Sequence, residues 1–179
     1  MKIAVSAGFT LIELLVTIAI VAVLATIAIP NFDSFLIRSQ RQQVVSDFIS
    51  ALSLARSEAI KRGVGVSLAP PVSSTPALEN GWIVFVDPTR SGVLPTGATP
   101  LLSQKAYPAG EVAIATPTST TFLAFDGLGR NVAAGGGSGA TRMLISIQRA
   151  ATVKTSSLLC ISWGGRVRTV DEVATAAVC

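Results

Sequence analysis

The residues that could do chemistry are few and sit near the two ends of the chain. At the N-terminus Lys2, Gly8, Phe9 and Glu13 are spaced along a stretch otherwise almost free of charge. Near the C-terminus Arg166 and Arg168 flank Val167, and Cys160 and Cys179 enclose them. Arg149 and Lys154 stand just upstream. A lone carboxylate in an apolar run needs a positive partner, because an unpaired charge is costly there. Two arginines two residues apart on a strand point to one face, where their guanidiniums can grip successive phosphates. The chain has no histidine, which removes Ser-His-Asp and Cys-His catalysis and His-ligated zinc. Two cysteines alone cannot build a structural zinc site. No cofactor, no metal and no enzymatic activity are expected. The run from Gly135 to Gly139 lacks the lysine and helix of a phosphate-binding loop.

The elements that must position these groups follow from the apolar pattern. Only 13% of the 179 residues are charged, against about 25% in a soluble domain. The excess concentrates in residues 9–29, FTLIELLVTIAIVAVLATIAI, whose single charge is Glu13. As a helix this segment would be about 31 Å long, enough to cross a bilayer core. A buried core helix and a secretory signal are the competing readings; no A-x-A-like cleavage site follows, and Pro30, Asn31 and Phe32 come next. From residue 31 to Arg62 the apolar positions Phe32, Phe35, Leu36, Val45, Phe48, Leu52, Ala55 and Ala59 recur at helical spacing. The spacing predicts one helix to Arg62, kinked by Pro30 and capped by Gly63, with its charged face mostly solvated. Thereafter the period becomes two, and strands are expected at 64–69, 82–86, 111–115, 121–125, 143–148, 158–163 and 167–170. The fold class is α+β: a long N-terminal helix, a membrane half and an amphipathic half, packed on an antiparallel β-sheet.

The N-terminus MKIAVSAG/FTLIE resembles that of type IV prepilins and type II secretion pseudopilins. That resemblance implies cleavage after Gly8 by a prepilin peptidase and methylation of Phe9. It also implies filament assembly through Glu13 and the N-terminal amine of a neighbouring subunit. The segments NGWIVFVD (80–87), Phe125 to Gly129, and CISWGGRVR (160–168) are similar to the GspH/FimT/FimU group of minor pilins and pseudopilins. The implied organisation is a leader (1–8), a transmembrane or filament-core helix (9–30) and a periplasmic globular domain (31–179). Lys2 keeps the leader cytoplasmic by the positive-inside rule, so the chain would be single-pass in the bacterial inner membrane before joining a pilus or pseudopilus. Implied partners are other pilins or pseudopilins, the peptidase and inner-membrane lipid.

An oxidising periplasm would pair Cys160 with Cys179; free thiols or an intermolecular bridge are the alternatives. Residues 129–179 carry six basic side chains against two acidic ones, the whole excess of the domain. In the FimT branch a Gly-Arg-x-Arg motif is associated with DNA binding during natural transformation, and Gly165, Arg166, Val167 and Arg168 match it. Double-stranded DNA is thus a further candidate partner, with Arg149 and Lys154 extending the patch. A solvated or salt-bridged arginine pair is the bland alternative. Trp163 is expected in the core, with base stacking the alternative.

Overall fold

The structure, a computed structural model, describes residues 9–71, 77–115, 122–132, 139–149 and 152–171, with the backbone alone for 27–31 and 171. The chain forms two compact units, Met1–Arg38 and Ser39–Cys179. One helix, α1 (Leu11–Arg62), contributes residues to both.

In the first unit α1 begins where Thr10 Oγ1 accepts a hydrogen bond from Glu13 N, 3.3 Å, a capping contact for a helix start. From Leu11 to Leu24 the large apolar side chains are exposed, between 48% for Leu15 and 76% for Leu11. Phe32, Phe35 and Leu36, expected on a buried face, are exposed as well. The side chain of Pro30 lies outside the described residues; the helical backbone continues through it. Among the described residues no helix is long and apolar enough to cross a membrane; the expected span 9–30 includes side chains outside that set.

In the second unit α1 buries Arg41, Val44, Phe48, Ala51, Leu52, Ala55 and Ala59. The buried stripe runs through Val44 where the spacing favoured Val45, which is half-buried. Gly63 ends the helix with φ 66°, and its N–H donates to Ala59 O, 2.9 Å. This is the left-handed cap that glycine adopts without strain.

Two antiparallel sheets follow where one was expected. The first has the order β3-β2-β1-β5-β6. Its strands are β1 (Val66–Ala69), β2 (Trp82–Val86), β3 (Leu102–Gln104), β5 (Leu123–Phe125) and β6 (Asn131–Val132). The second has the order β4-β7-β8-β9, built from β4 (Val112–Ala115), β7 (Thr141–Arg149), β8 (Thr152–Ile161) and β9 (Val167–Asp171). Trp82, fully buried, is central to the core: Phe48 meets it edge-on at 5.0 Å and Tyr107 lies 5.8 Å away. Such aromatic contacts add about 0.5–1.5 kcal/mol to the burial itself. On the second sheet Met143, Ile145, Ile147, Leu159 and Ile161 form the inner face.

The 87–92 loop is held by one buried carboxylate. Asp87 accepts hydrogen bonds from Ser67 Oγ (2.8 Å), Gly92 N (2.8 Å) and Thr89 Oγ1 (2.9 Å). Burial pushes its pKa up, but the donors from Gly92, Ser67, Ser91 and Thr89 outweigh this and hold it below the usual value. The loop so fixed places Leu94, with Phe122, over Ala69, Ile83 and Phe85.

Candidate functional site

Two places in the molecule carry unexplained chemistry. The first is Glu13. The polar side chains on α1 between Leu11 and Thr26 are Glu13, Thr17 and Thr26. Both threonines satisfy their hydroxyls within the helix, Thr17 Oγ1 donating to Leu14 O (2.8 Å) and Thr26 Oγ1 to Val23 O (2.7 Å). This back-bonding lets them sit among apolar neighbours. Glu13 has no such outlet: among the described residues its carboxylate meets no donor. Gly8 and the leader lie outside the described residues, and Phe9 is exposed just ahead of the helix.

The second place is the β8–β9 hairpin. Ser162 N donates to Arg166 O and Gly165 N to Ser162 O, both 2.9 Å, so the turn closes over Trp163 and Gly164. Gly165 has φ 74°, and a Cβ there would run into Gly129 O and the Arg56 guanidinium. Only glycine lets this turn seat against the 126–130 turn. Arg56, expected on a solvated face, instead donates from Nε to Gly129 O, 3.1 Å. Asn131 N donates to Trp163 O, 2.9 Å, tying the same two turns together.

The hairpin presents arginines on one face. Cys160 stands opposite Arg168 on β9 and opposite Arg142 on β7. Directly opposed residues of antiparallel strands point to the same side. Arg142, Cys160 and Arg168 therefore form one cross-strand row on the face away from Met143 and Leu159. The two arginines lie about 10 Å apart across two strand spacings. Arg166, one residue before β9, lines with Arg168, Ala140, Cys160 and Ser162 a hollow of about 340 Å³. Arg142, Arg166 and Arg168 are exposed. Arg142 was not singled out from sequence, because its place beside Arg168 depends on a register across three strands.

The structure does not bring Arg149 and Lys154 to this row. Arg149 ends β7, where its Nη1 pairs with Glu111 Oε1 at 3.1 Å and Nη2 reaches Gln40 Oε1 at 3.4 Å. Lys154 falls at the bulge where the β7–β8 register shifts. Lys154 stands six positions before Cys160 along β8, about 20 Å. Cys160 is buried on β8; its expected partner Cys179 lies outside the described residues.

Trp163 corrects an expectation. It is 51% exposed at the hairpin tip, not in the core, because the turn carries it past the end of both strands. Arg130 stands over its ring, 5.8 Å from the centroid, a cation–π distance. Arg130 is itself held by Asp126, Nη2 to Oδ2 2.7 Å. Burial raises the Asp126 pKa, but the Arg130 side chain and the Arg130 and Leu128 N–H groups outweigh it and hold it low. Among the described residues no cluster of Asp, Glu or Cys could hold a metal ion.

Comparison with known proteins agrees with this architecture. The family model described as Type II transport protein GspH matches residues 44–165, and that of the prokaryotic N-terminal methylation motif matches residues 4–29. A fimbrial protein of Pseudomonas aeruginosa is 46% identical over 56 residues, 31% of this chain and 36% of that protein. The type IV major fimbrial protein FimA of Dichelobacter nodosus is 50% identical over 40 residues, 22% of this chain and 26% of that protein. The chain thus spans about a third or less of the length of these curated relatives. The crystal structure of the Pseudomonas aeruginosa type IV minor pilin FimU shares the fold, with a TM-score of 0.50 and 19% identity over 73% of this chain and 88% of that one. With most of its second unit matched by one family model and its start matched by the methylation motif, the chain belongs to the GspH family of type IV pilin-like proteins.

Proposed function

We propose that this chain is a minor pilin of a type IV pilus, of the FimT/FimU kind, that helps to start the filament at or near its tip. The observation that carries this reading is Glu13, whose carboxylate meets no donor among the described residues, on a helix surface that is otherwise apolar and internally satisfied. Such a surface fits a site whose partner is another subunit: neighbouring helices cover the apolar side chains, and a free N-terminal amine meets the carboxylate. That amine belongs to Phe9 once the peptidase has cut after Gly8. Before assembly, residues 9–30 would anchor the chain in the inner membrane with 31–179 in the periplasm. The role is structural. The test is co-expression of the full chain with a prepilin peptidase and its companion pilins. Mass spectrometry should find a chain starting at methylated Phe9, and Glu13→Ala should stay in the membrane fraction.

A pseudopilin of a type II secretion system is the second reading, favoured by the description of the matching family model. Deletion of the gene would then abolish protein secretion and leave pili intact.

The same subunit is proposed to bind DNA through Arg166, Arg168 and the adjacent Arg142. Two exposed arginines, Arg166 and Arg168, line one hollow whose lining among the described residues carries no carboxylate, and the exposed Arg142 stands in the same cross-strand row as Arg168; these support the proposal. Contacts to phosphates would be independent of sequence and steeply salt-dependent. In gel shifts, Arg166→Gln/Arg168→Gln should weaken binding and lower the salt slope by about two, one per lost phosphate contact.

Cys160 and Cys179 are proposed to pair, closing an 18-residue loop and contributing about 3 kcal/mol. The bond would pin the end of the chain in the middle of the arginine row. A mass increase of two hydrogens on reduction, with no dimer on non-reducing gels, checks it.

A further inference from the structure

The nucleic-acid reading leaves the most exposed aromatic of the hairpin unused. Trp163 stands at the tip of the Ser162–Arg166 turn, three residues before Arg166, with half of its surface open. The exposed indole offers a large apolar face with a polar edge. Its position is built. Asn131 N holds the Trp163 carbonyl, and Gly165 seats the turn against Gly129. Arg130, fixed by Asp126, is set over the ring. Arg130 thus lies over the indole, and Arg166 and Arg168 follow it in the chain by three and five residues.

We infer that Trp163 and Arg130 form a stacking platform that makes this arginine face prefer single-stranded over double-stranded DNA. The inference rests on the nucleic-acid reading given above. A duplex keeps its bases stacked inside and offers arginines its phosphates, so an exposed indole gains nothing from it. A single strand offers both phosphates and free base faces. Base–aromatic stacking is indifferent to sequence and adds to backbone contacts. Arg166 and Arg168, about 6.6 Å apart along the strand, hold the backbone while the base next to it reaches the indole. The guanidinium over one face of the ring leaves the other face for a base and adds positive charge beside it.

The experiment uses the full chain in detergent, with a 12-residue oligo-deoxythymidine and a 12-base-pair duplex as probes. The chain has two tryptophans. Trp82 is fully buried, so quenching of indole fluorescence by the oligonucleotide reports Trp163. Saturating single strand should quench this emission and the duplex should not. Trp163→Ala should weaken single-strand binding about 5- to 150-fold, the range for loss of one stacked base. It should leave duplex binding within twofold and leave the salt slope unchanged, because the indole meets no phosphate. Trp163→Phe, which keeps a ring, should recover most of the affinity and guards against misfolding as the cause. Equal affinity of the wild type for both probes would overturn the inference. So would single-strand binding indifferent to Trp163→Ala, or quenching by companion pilins but not by the oligonucleotide. Binding lost in Arg166→Gln/Arg168→Gln but insensitive to Trp163 would leave the arginine reading standing and remove the platform. Failure of the wild type to bind either probe would remove both.

Discussion

One helix behaves in two ways. Between Leu11 and Leu24 its Leu, Ile and Val side chains are all exposed, around the whole circumference. Between Val44 and Ala59 it buries one stripe completely: Val44, Phe48, Ala51, Leu52, Ala55 and Ala59. Apolar content is thus no guide to where a segment packs. The second stretch alternates apolar with polar positions, because its partner is this chain's own sheets. The first is apolar all round, the pattern of a helix surrounded by lipid or other helices. Its one charge, Glu13, meets no donor among the described residues, and the partner proposed for it is another subunit.

The difference can be attacked from either side. The largest effect on stability should come from the packed stretch: Trp82→Ala or Phe48→Ala should cost about 3–5 kcal/mol, measured by chemical denaturation. Gly165→Ala should come next, at about 1–3 kcal/mol for a side chain at positive φ, since its Cβ would also meet Gly129 O. This variant should weaken DNA binding too, because it displaces the turn before Arg166.

Asp87 gives a comparable but pH-dependent effect. Its folded pKa is lowered, so its stabilisation is present above its unfolded value, about 4. It is lost as pH falls through the folded value. Denaturation midpoints should therefore drop below about pH 4, and Asp87→Asn should cost about 1–3 kcal/mol at pH 7 and flatten that drop. The smallest effect should be Leu15→Ala: with no burial within the chain, the unfolding midpoint should shift by under about 0.5 kcal/mol. A large shift would show that the first stretch packs on its own chain.

How much of this was legible in the sequence depended on whether the signal was local. The strand 82–86 follows an Asn-Gly turn and consists of Trp, Ile, Val, Phe and Val, and it was placed to the residue. Gly63 as a cap was equally local. Strand β3 (Leu102–Gln104) was missed because it is short and two of its three residues are polar; it forms by pairing with β2. The two-residue β6 likewise exists only through β5. The division into two sheets, the proximity of Arg142 to Arg168, and the exposure of Trp163 all depend on register and turn geometry across distant residues. Arg149 and Lys154 show the converse: close in sequence to the basic tail, they stand at the other end of β8.

The central claim is that Glu13 joins this chain to another subunit. The most direct measurement is the amount of chain recovered in sheared filaments from cells making wild type or Glu13→Ala at matched membrane levels. The account predicts wild-type chain in the filament fraction, and Glu13→Ala cleaved and inserted but at least about tenfold depleted there, the loss expected for an unpaired buried partner charge of 1.4 kcal/mol or more. Recovery of Glu13→Ala in filaments at the wild-type level would contradict it.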